Sequence, residues 1–127
     1  MTPDDRKYTK SHEWVKVEDD IAVVGITDHA QESLGDITFV ELPSVGESVD
    51  ARSECAVIES VKAASDILTP VAGEITEVNN SLEDSPEMIN ESAYEDGWIF
   101  KLRDFDEDEV EALLDADQYE ASLRKDD

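Results

Sequence analysis

Glu59-Ser60-Val61-Lys62-Ala63-Ala64-Ser65-Asp66 joins two apolar segments, residues 54–61 and 65–71, that read as strands. A strand, a short break and a second strand make a hairpin. The tip is unusual: Val61, Ala63 and Ala64 are small or apolar, where hairpin turns more often carry Asn and Gly. A type I turn tolerates such residues because it needs no positive φ. That geometry holds the Lys62 ammonium outward on a rigid support, as a modifying enzyme would require. An ordinary exposed lysine on a turn would have the same local sequence, so spacing alone leaves both readings open.

Working outward, two similar arms flank the hairpin. Val45-Gly46-Glu47-Ser48-Val49 leads in, and Val71-Ala72-Gly73-Glu74-Ile75 leads out. This echo suggests a quasi-symmetric β-sandwich or flattened barrel. Residues 37–42 form a strand stopped by Pro43, and residues 74–78 a strand closed by Asn79-Asn80. Residues 12–18 and 21–25 form a hairpin around Asp19-Asp20. Residues 26–35 read as a short helix: Thr27 or Asp28 caps it, Gln31 stands three after Asp28, and Ala30 and Leu34 share a face. Gly35 sits where a left-handed residue ends a helix. Ser85 and Pro86 start one helical turn over 85–90, and residues 97–102 make the last strand. Two helices follow, 106–114 with Val110, Leu113 and Leu114 inward, and 117–125 with Tyr119 and Leu123 inward. Arg124 and Lys125 suit the negative end of the second. The class expected is mainly β with peripheral helices.

The charge balance narrows the function. Among 127 residues there are 34 acids (17 Asp, 17 Glu) and only six Lys, for a formal net charge of −24. Such a surface repels phosphate, so nucleic acid and anionic membrane are poor partners. The acids interleave with Val, Ile and Leu, which indicates a folded domain in an acidic coat rather than a disordered tail. The N-terminal stretch MTPDDRKYTKSHEW carries no apolar run, so no secretory signal is expected. The lone Cys55 cannot form an internal disulfide.

Enzyme signatures are missing. The five glycines, at 25, 35, 46, 73 and 97, are scattered and form no phosphate loop. No Cys/His spacing suits zinc, no stretch matches an EF-hand loop, and no nucleophile elbow accompanies the two histidines, His12 and His29. Clusters such as Asp104-Asp106-Glu107-Asp108-Glu109 read as solvated surface and a helix N-terminus.

The hairpin and several blocks around it resemble the H protein of the glycine cleavage system. The blocks, in order, are Tyr8-Thr9-Lys10-Ser11-His12-Glu13-Trp14-Val15, Val24-Gly25-Ile26-Thr27-Asp28-His29-Ala30-Gln31, Leu34-Gly35-Asp36-Ile37 and Val40-Glu41-Leu42-Pro43. Pro70-Val71-Ala72-Gly73-Glu74-Ile75, Val78-Asn79 and Tyr94-Glu95-Asp96-Gly97-Trp98-Ile99-Phe100-Lys101 follow the lysine. The resemblance spans almost the whole chain. It implies a lipoyl/biotinyl-type hybrid barrel-sandwich in a single domain, residues 1–127, with a lipoyl-binding core at 21–103 and C-terminal helices at 104–127 packed on it.

The resemblance also implies that Lys62 carries lipoic acid through an amide bond, and that the chain is a non-catalytic carrier. A pyridoxal-phosphate glycine decarboxylase would load an aminomethyl group on the arm. An aminomethyltransferase would take it, and dihydrolipoamide dehydrogenase would reoxidise the dithiol. A covalent arm keeps the intermediate at high effective concentration between sites. Glu59, three residues before Lys62, is the expected docking determinant for the lipoylating enzyme; its plain alternative is to solvate the strand. Ser11, Glu13 and Asp66 are expected to receive the loaded arm, since a cationic aminomethyl group suits carboxylates.

Two departures from the family stand out. Asp50-Ala51-Arg52-Ser53 replaces a turn in which relatives usually have Gly, and Cys55 stands where they often carry an apolar residue. Cys55 is taken as a small core residue. His29 is assigned no chemistry. Dehydrogenase lipoyl domains lack the Ser11-His12-Glu13-Trp14 block and the terminal helices, and biotin carriers place Met beside the lysine, where Val61 and Ala63 stand. A lipoylated H-like carrier of sulfur oxidation is the runner-up, and an unmodified acidic adaptor is the alternative of another class. A carrier that visits several enzymes makes small transient contacts, so a monomer is expected. The acid excess points to a high-salt cytoplasm, where a Debye length of about 3 Å at 1 M screens the self-repulsion.

Overall fold

The computed structural model describes residues 2–125, the side chains of Arg124 and Lys125 excepted, so the expectation for those two cations lies outside the described residues. The strands are β1 (Lys7–Tyr8), β2 (Glu13–Glu18), β3 (Ile21–Ile26), β4 (Ile37–Glu41), β5 (Ser48–Val49), β6 (Glu54–Ser60), β7 (Ala64–Leu68), β8 (Gly73–Val78) and β9 (Phe100–Arg103). The helices are α1 (Asp28–Leu34), α2 (Ser81–Asp84), α3 (Met88–Glu91), α4 (Glu107–Glu111) and α5 (Ala116–Lys125). One sheet has six strands in the order β1-β2-β3-β9-β8-β5, the other three in the order β4-β6-β7.

The two sheets close on one apolar cluster. Val15, Val24, Ile26, Ile75, Phe100 and Leu102 come from the larger, and Val40, Ala56, Ile58 and Ile67 from the smaller. The echoed arms pair directly: Ser48 faces Glu74 and Val49 faces Gly73, with Gly46 N–H on Ile75 O at 2.8 Å. The two sheets form the barrel-sandwich expected from sequence.

β3 is buried along most of its length because the larger sheet is covered on both faces. Val24 and Ile26 enter the main cluster, while Val23 joins a second one with Tyr8, Trp14, Ala116 and Tyr119. Helix α5 thereby packs on the outer face, and Tyr8 and Leu114 exchange backbone hydrogen bonds at 2.8 and 2.9 Å. Strand β1 was not anticipated, because two residues show no periodicity. The helical turn expected to start at Ser85 and Pro86 runs over Met88–Glu91 instead, preceded by α2. The last strand begins at Phe100 rather than residue 97, since Gly97 N–H and Trp98 N–H turn back to Ser92 O and Glu95 O instead of to a neighbouring strand.

Candidate functional site

Lys62 lies at the tip of the β6–β7 hairpin. Ser60 N–H donates to Ala63 O at 2.8 Å, leaving Val61 and Lys62 as the two loop residues. Ser60 Oγ also accepts from Lys62 N–H and Ala63 N–H, each at 3.2 Å. The serine therefore ties the tip from within. Neither Val61 nor Lys62 has a positive φ, so this turn needs no glycine.

The tip rests on the corner between α1 and β4. Val61 N–H donates to Asp36 O at 3.0 Å. Gly35, at φ 79°, ends α1 as expected, and its N–H returns to Gln31 O. A Cβ at Gly35 would stand 3.3 Å from Lys62 Cε, so the glycine also gives passage to the lysine stem. Asn90 braces the same corner. Its Oδ1 accepts from Ile37 N–H, and its Nδ2 donates to Gly35 O and Gln31 Oε1, all at 2.9 Å. Sequence reading assigned Asn90 nothing, since a partner 53 residues away leaves no local signal.

Ser11 and Glu13 belong to one cluster. The chain folds back between β1 and β2 through His12, at φ 75°, with His12 N–H on Thr9 O. Glu13 is buried, and its Oε1 accepts from Thr9 Oγ1 at 2.6 Å and Ser11 Oγ at 2.5 Å. Its Oε2 accepts from Leu68 N–H at 3.4 Å, which links the cluster to β7. A carboxylate has about four acceptor positions, and three are used here. Thr9 and Arg52 were missed. Arg52 adopts φ 70°, the left-handed conformation a glycine would take freely. Its guanidinium donates to Ser11 Oγ at 3.3 Å.

Asp66 is separate from that cluster by orientation. It pairs with Val57, which pairs with Glu41, on the outer face of the small sheet. It lines a cavity of about 300 Å3 with Leu42, Pro43 and Cys55. Burial pushes the Cys55 thiol up to about 11, so it stays protonated near neutrality and is a poor nucleophile. Glu59 is exposed on the same outer face.

The two histidines hold helices together. Their rings lie 4.5 Å apart, His12 Nδ1 meets Tyr119 Oη at 2.7 Å, and Tyr119 Oη meets Thr27 Oγ1 at 2.7 Å. Thr27 Oγ1 in turn accepts from Ala30 N–H as the cap of α1. Among the described residues no group of three or more His, Cys, Asp or Glu could hold a metal ion, and no helix is long and apolar enough to cross a membrane.

Two sheets closed around one core, with a lysine on a two-residue hairpin turn, define a barrel-sandwich of the lipoyl/biotinyl type. Residues 6–126 match the glycine cleavage H-protein family, and the chain belongs to it. It is 62% identical over 93% of its length to the glycine cleavage system H protein of Shewanella denitrificans, covering 92% of that relative. The counterpart from Alcanivorax borkumensis is 56% identical over 95% of this chain and 94% of its own. The crystal structure of a glycine cleavage system H protein from Mycobacterium marinum superposes with a TM-score of 0.88 at 39% identity, covering 96% of this chain and 98% of that one. Members of the family are lipoate carriers, and the chain is accordingly a carrier subunit rather than an enzyme.

Proposed function

We propose that this chain carries lipoic acid in amide linkage on Lys62 Nζ and shuttles the aminomethyl group of glycine from the decarboxylase to the aminomethyltransferase. Dihydrolipoamide dehydrogenase then restores the disulfide form. The observation that carries this reading is an exposed amine on a two-residue turn in a chain of this family. The tip fits the group, because Val61, Ala63 and Ala64 offer no competing nucleophile and Ser60 already satisfies the turn N–H groups. For attachment, the Lys62 amine gives a proton to solvent and attacks the acyl carbon of activated lipoate. The amide C–N bond forms as the bond to the leaving group breaks. When bound, lipoate supplies the sulfur that takes up and hands on the one-carbon unit.

Glu59 serves as a docking contact for the lipoylating enzyme. Ser11, Glu13 and Asp66 are the acceptors of the loaded arm. Glu13 brings one open acceptor position beside β7, and Asp66 a carboxylate on an adjoining face. Charge-assisted contacts of this kind hold a cationic amine and shield it from water. Glu13→Gln and Asp66→Asn should each speed hydrolytic loss of the loaded group several-fold. Unchanged hydrolysis in both variants would remove that role.

The test of the shuttle is reconstitution of the lipoylated chain with glycine decarboxylase and labelled bicarbonate. Label should enter glycine well above the background without this protein. Background-level exchange would favour the sulfur-oxidation relay instead.

The carrier is read as a monomer of a high-salt cytoplasm. Its −24 charge makes self-repulsion strong at low salt. Screening lengths fall from about 10 Å at 0.1 M to about 3 Å at 1 M salt. The melting temperature should therefore rise by several degrees between low salt and molar KCl, and a flat response would count against that habitat.

A further inference from the structure

The few cations of this acidic chain are unequally matched. Arg6, Lys16, Lys101 and Arg103 each lie within ion-pair distance of a carboxylate. Among the described residues Lys10 and Arg52 form no ion pair, and both are exposed. Although 42 positions apart, they line one cavity of about 320 Å3, whose apolar walls are Tyr8 and residues 112–114. Leu113 and Leu114 are only partly buried, so they present apolar surface to that groove. The wall is fixed to β1 by the backbone hydrogen bonds that Tyr8 and Leu114 exchange. Arg52 is fixed as well: its N–H donates to Thr69 O at 2.8 Å, and it holds φ 70°, a conformation that a non-glycine residue keeps only where its surroundings impose it. Its guanidinium meets Ser11 Oγ at 3.3 Å, so the groove opens beside the Ser11–Glu13 cluster. It is remote from the Lys62 amine. Arg52 precedes β6 and Lys62 follows it, and a strand of seven residues spans roughly 23 Å. Two cations over an apolar wall reverse the local field of a chain at −24, and such a groove concentrates anionic groups.

We propose that the Lys10–Arg52 groove is a docking surface for the aminomethyltransferase, taking an acidic segment of that enzyme: a carboxylate between the two cations and an apolar side chain against Leu113 and Leu114. The inference rests on the reading of Ser11 and Glu13 as the resting place of the loaded arm. Position selects this occupant among the enzymes the carrier visits. An enzyme that takes up the loaded group meets the arm at Ser11 and Glu13 and covers the surface beside them. The lipoylating enzyme works at the other end of β6. The decarboxylase and the dehydrogenase receive an arm without the ammonium that Glu13 holds. Charge complementarity selects the contact, because a guanidinium takes a carboxylate through two parallel hydrogen bonds, whereas a basic segment would be repelled.

The experiment uses the full lipoylated chain, loaded by glycine decarboxylase and glycine and then given to aminomethyltransferase and tetrahydrofolate, with ammonia release followed. Lys10→Gln and Arg52→Gln together should raise the transferase KM for the carrier about tenfold, the scale of an interface anchor, with kcat unchanged because the reacting group is untouched. Arg52→Lys alone keeps the charge but loses the planar fork, so it should raise KM by less than Arg52→Gln alone. Lys7→Gln is the control. Lys7 stands on β1 and lines a different cavity, and its replacement removes one charge while leaving KM as it is. The decarboxylase KM, read from glycine–bicarbonate exchange, should not move in any of these variants. An unchanged transferase KM in the double variant, an equal rise in Lys7→Gln, or a rise seen with the decarboxylase instead would overturn the surface. A second copy of the chain as occupant would show in sedimentation as a dimer that the double variant loses, and would overturn the assignment as well. Failure of the underlying reading is visible separately, as hydrolysis of the loaded group unchanged in Glu13→Gln and Asp66→Asn.

Discussion

Lys62→Arg is expected to end lipoylation of the chain and, with it, glycine–bicarbonate exchange, while the fold stays intact. Arginine keeps the positive charge and much of the stem, but its guanidinium is delocalised and stays protonated, so it offers no amine lone pair to an acyl carbon. Lys62 is exposed, and substitutions at such positions usually shift stability by no more than about 0.5 kcal/mol. Loss of function with an unchanged melting temperature therefore reports chemistry at Nζ. Two other lysines are committed elsewhere: Lys16 Nζ lies 3.5 Å from Asp5 and 3.6 Å from Glu18, and Lys101 Nζ lies 3.8 Å from Glu77 and 4.8 Å from the Trp98 ring centroid. Intact mass after incubation with a lipoylating enzyme checks the result. A lipoyl increment that persists in Lys62→Arg would place the modification on another lysine.

The largest effect on stability is expected at Trp14. Its ring is 1% exposed, its Nε1–H donates to Ala93 O at 3.1 Å, and the buried Arg6 guanidinium lies 4.7 Å from its centroid. Trp14 pairs with Gly25 across the β2–β3 ladder, and the ring covers that glycine so closely that a Cβ there would fall 2.6 Å from Cζ2. Trp14→Ala should cost about 3–5 kcal/mol, the usual range for a buried tryptophan. For a domain of this size that lowers the melting temperature by on the order of 10–20 °C. Gly25→Ala should cost about 1–3 kcal/mol from the opposite cause, overpacking against a ring held on both sides. The two are coupled: in a Trp14→Ala background the Gly25→Ala penalty should largely vanish. Additive effects in denaturant titrations would contradict the contact.

Much of the site was legible because it is local. A two-residue turn between two strands is set by neighbours in sequence, so the Lys62 tip could be read from residues 54–71 alone. The echo of Val45-Gly46 and Val71-Ala72-Gly73 announced two arms, and those arms pair. Thr27 and Gly35 act at the two ends of α1, within one helix length of each other. The Ser11-His12-Glu13-Trp14 block was recognisable as a block, yet its residues point to different tasks, and no spacing separates them.

The sequence by itself determined the hairpin, the strand order along the chain, the acidic coat and the family, because each depends on short-range pattern or on many residues in order. Only the tertiary structure decided what the partners are. Glu13 reaches Leu68, Asn90 braces Gly35 and Ile37, Arg52 approaches Ser11, and Tyr119 joins His12 to Thr27. These pairs lie 41 to 107 residues apart. Their contacts exist because the closed sandwich brings distant strands and the terminal helix to one place, and a linear pattern carries no record of that closure. The groove of Lys10 and Arg52 follows the same logic: two distant cations share one apolar wall only when Tyr8 and Leu114 pair.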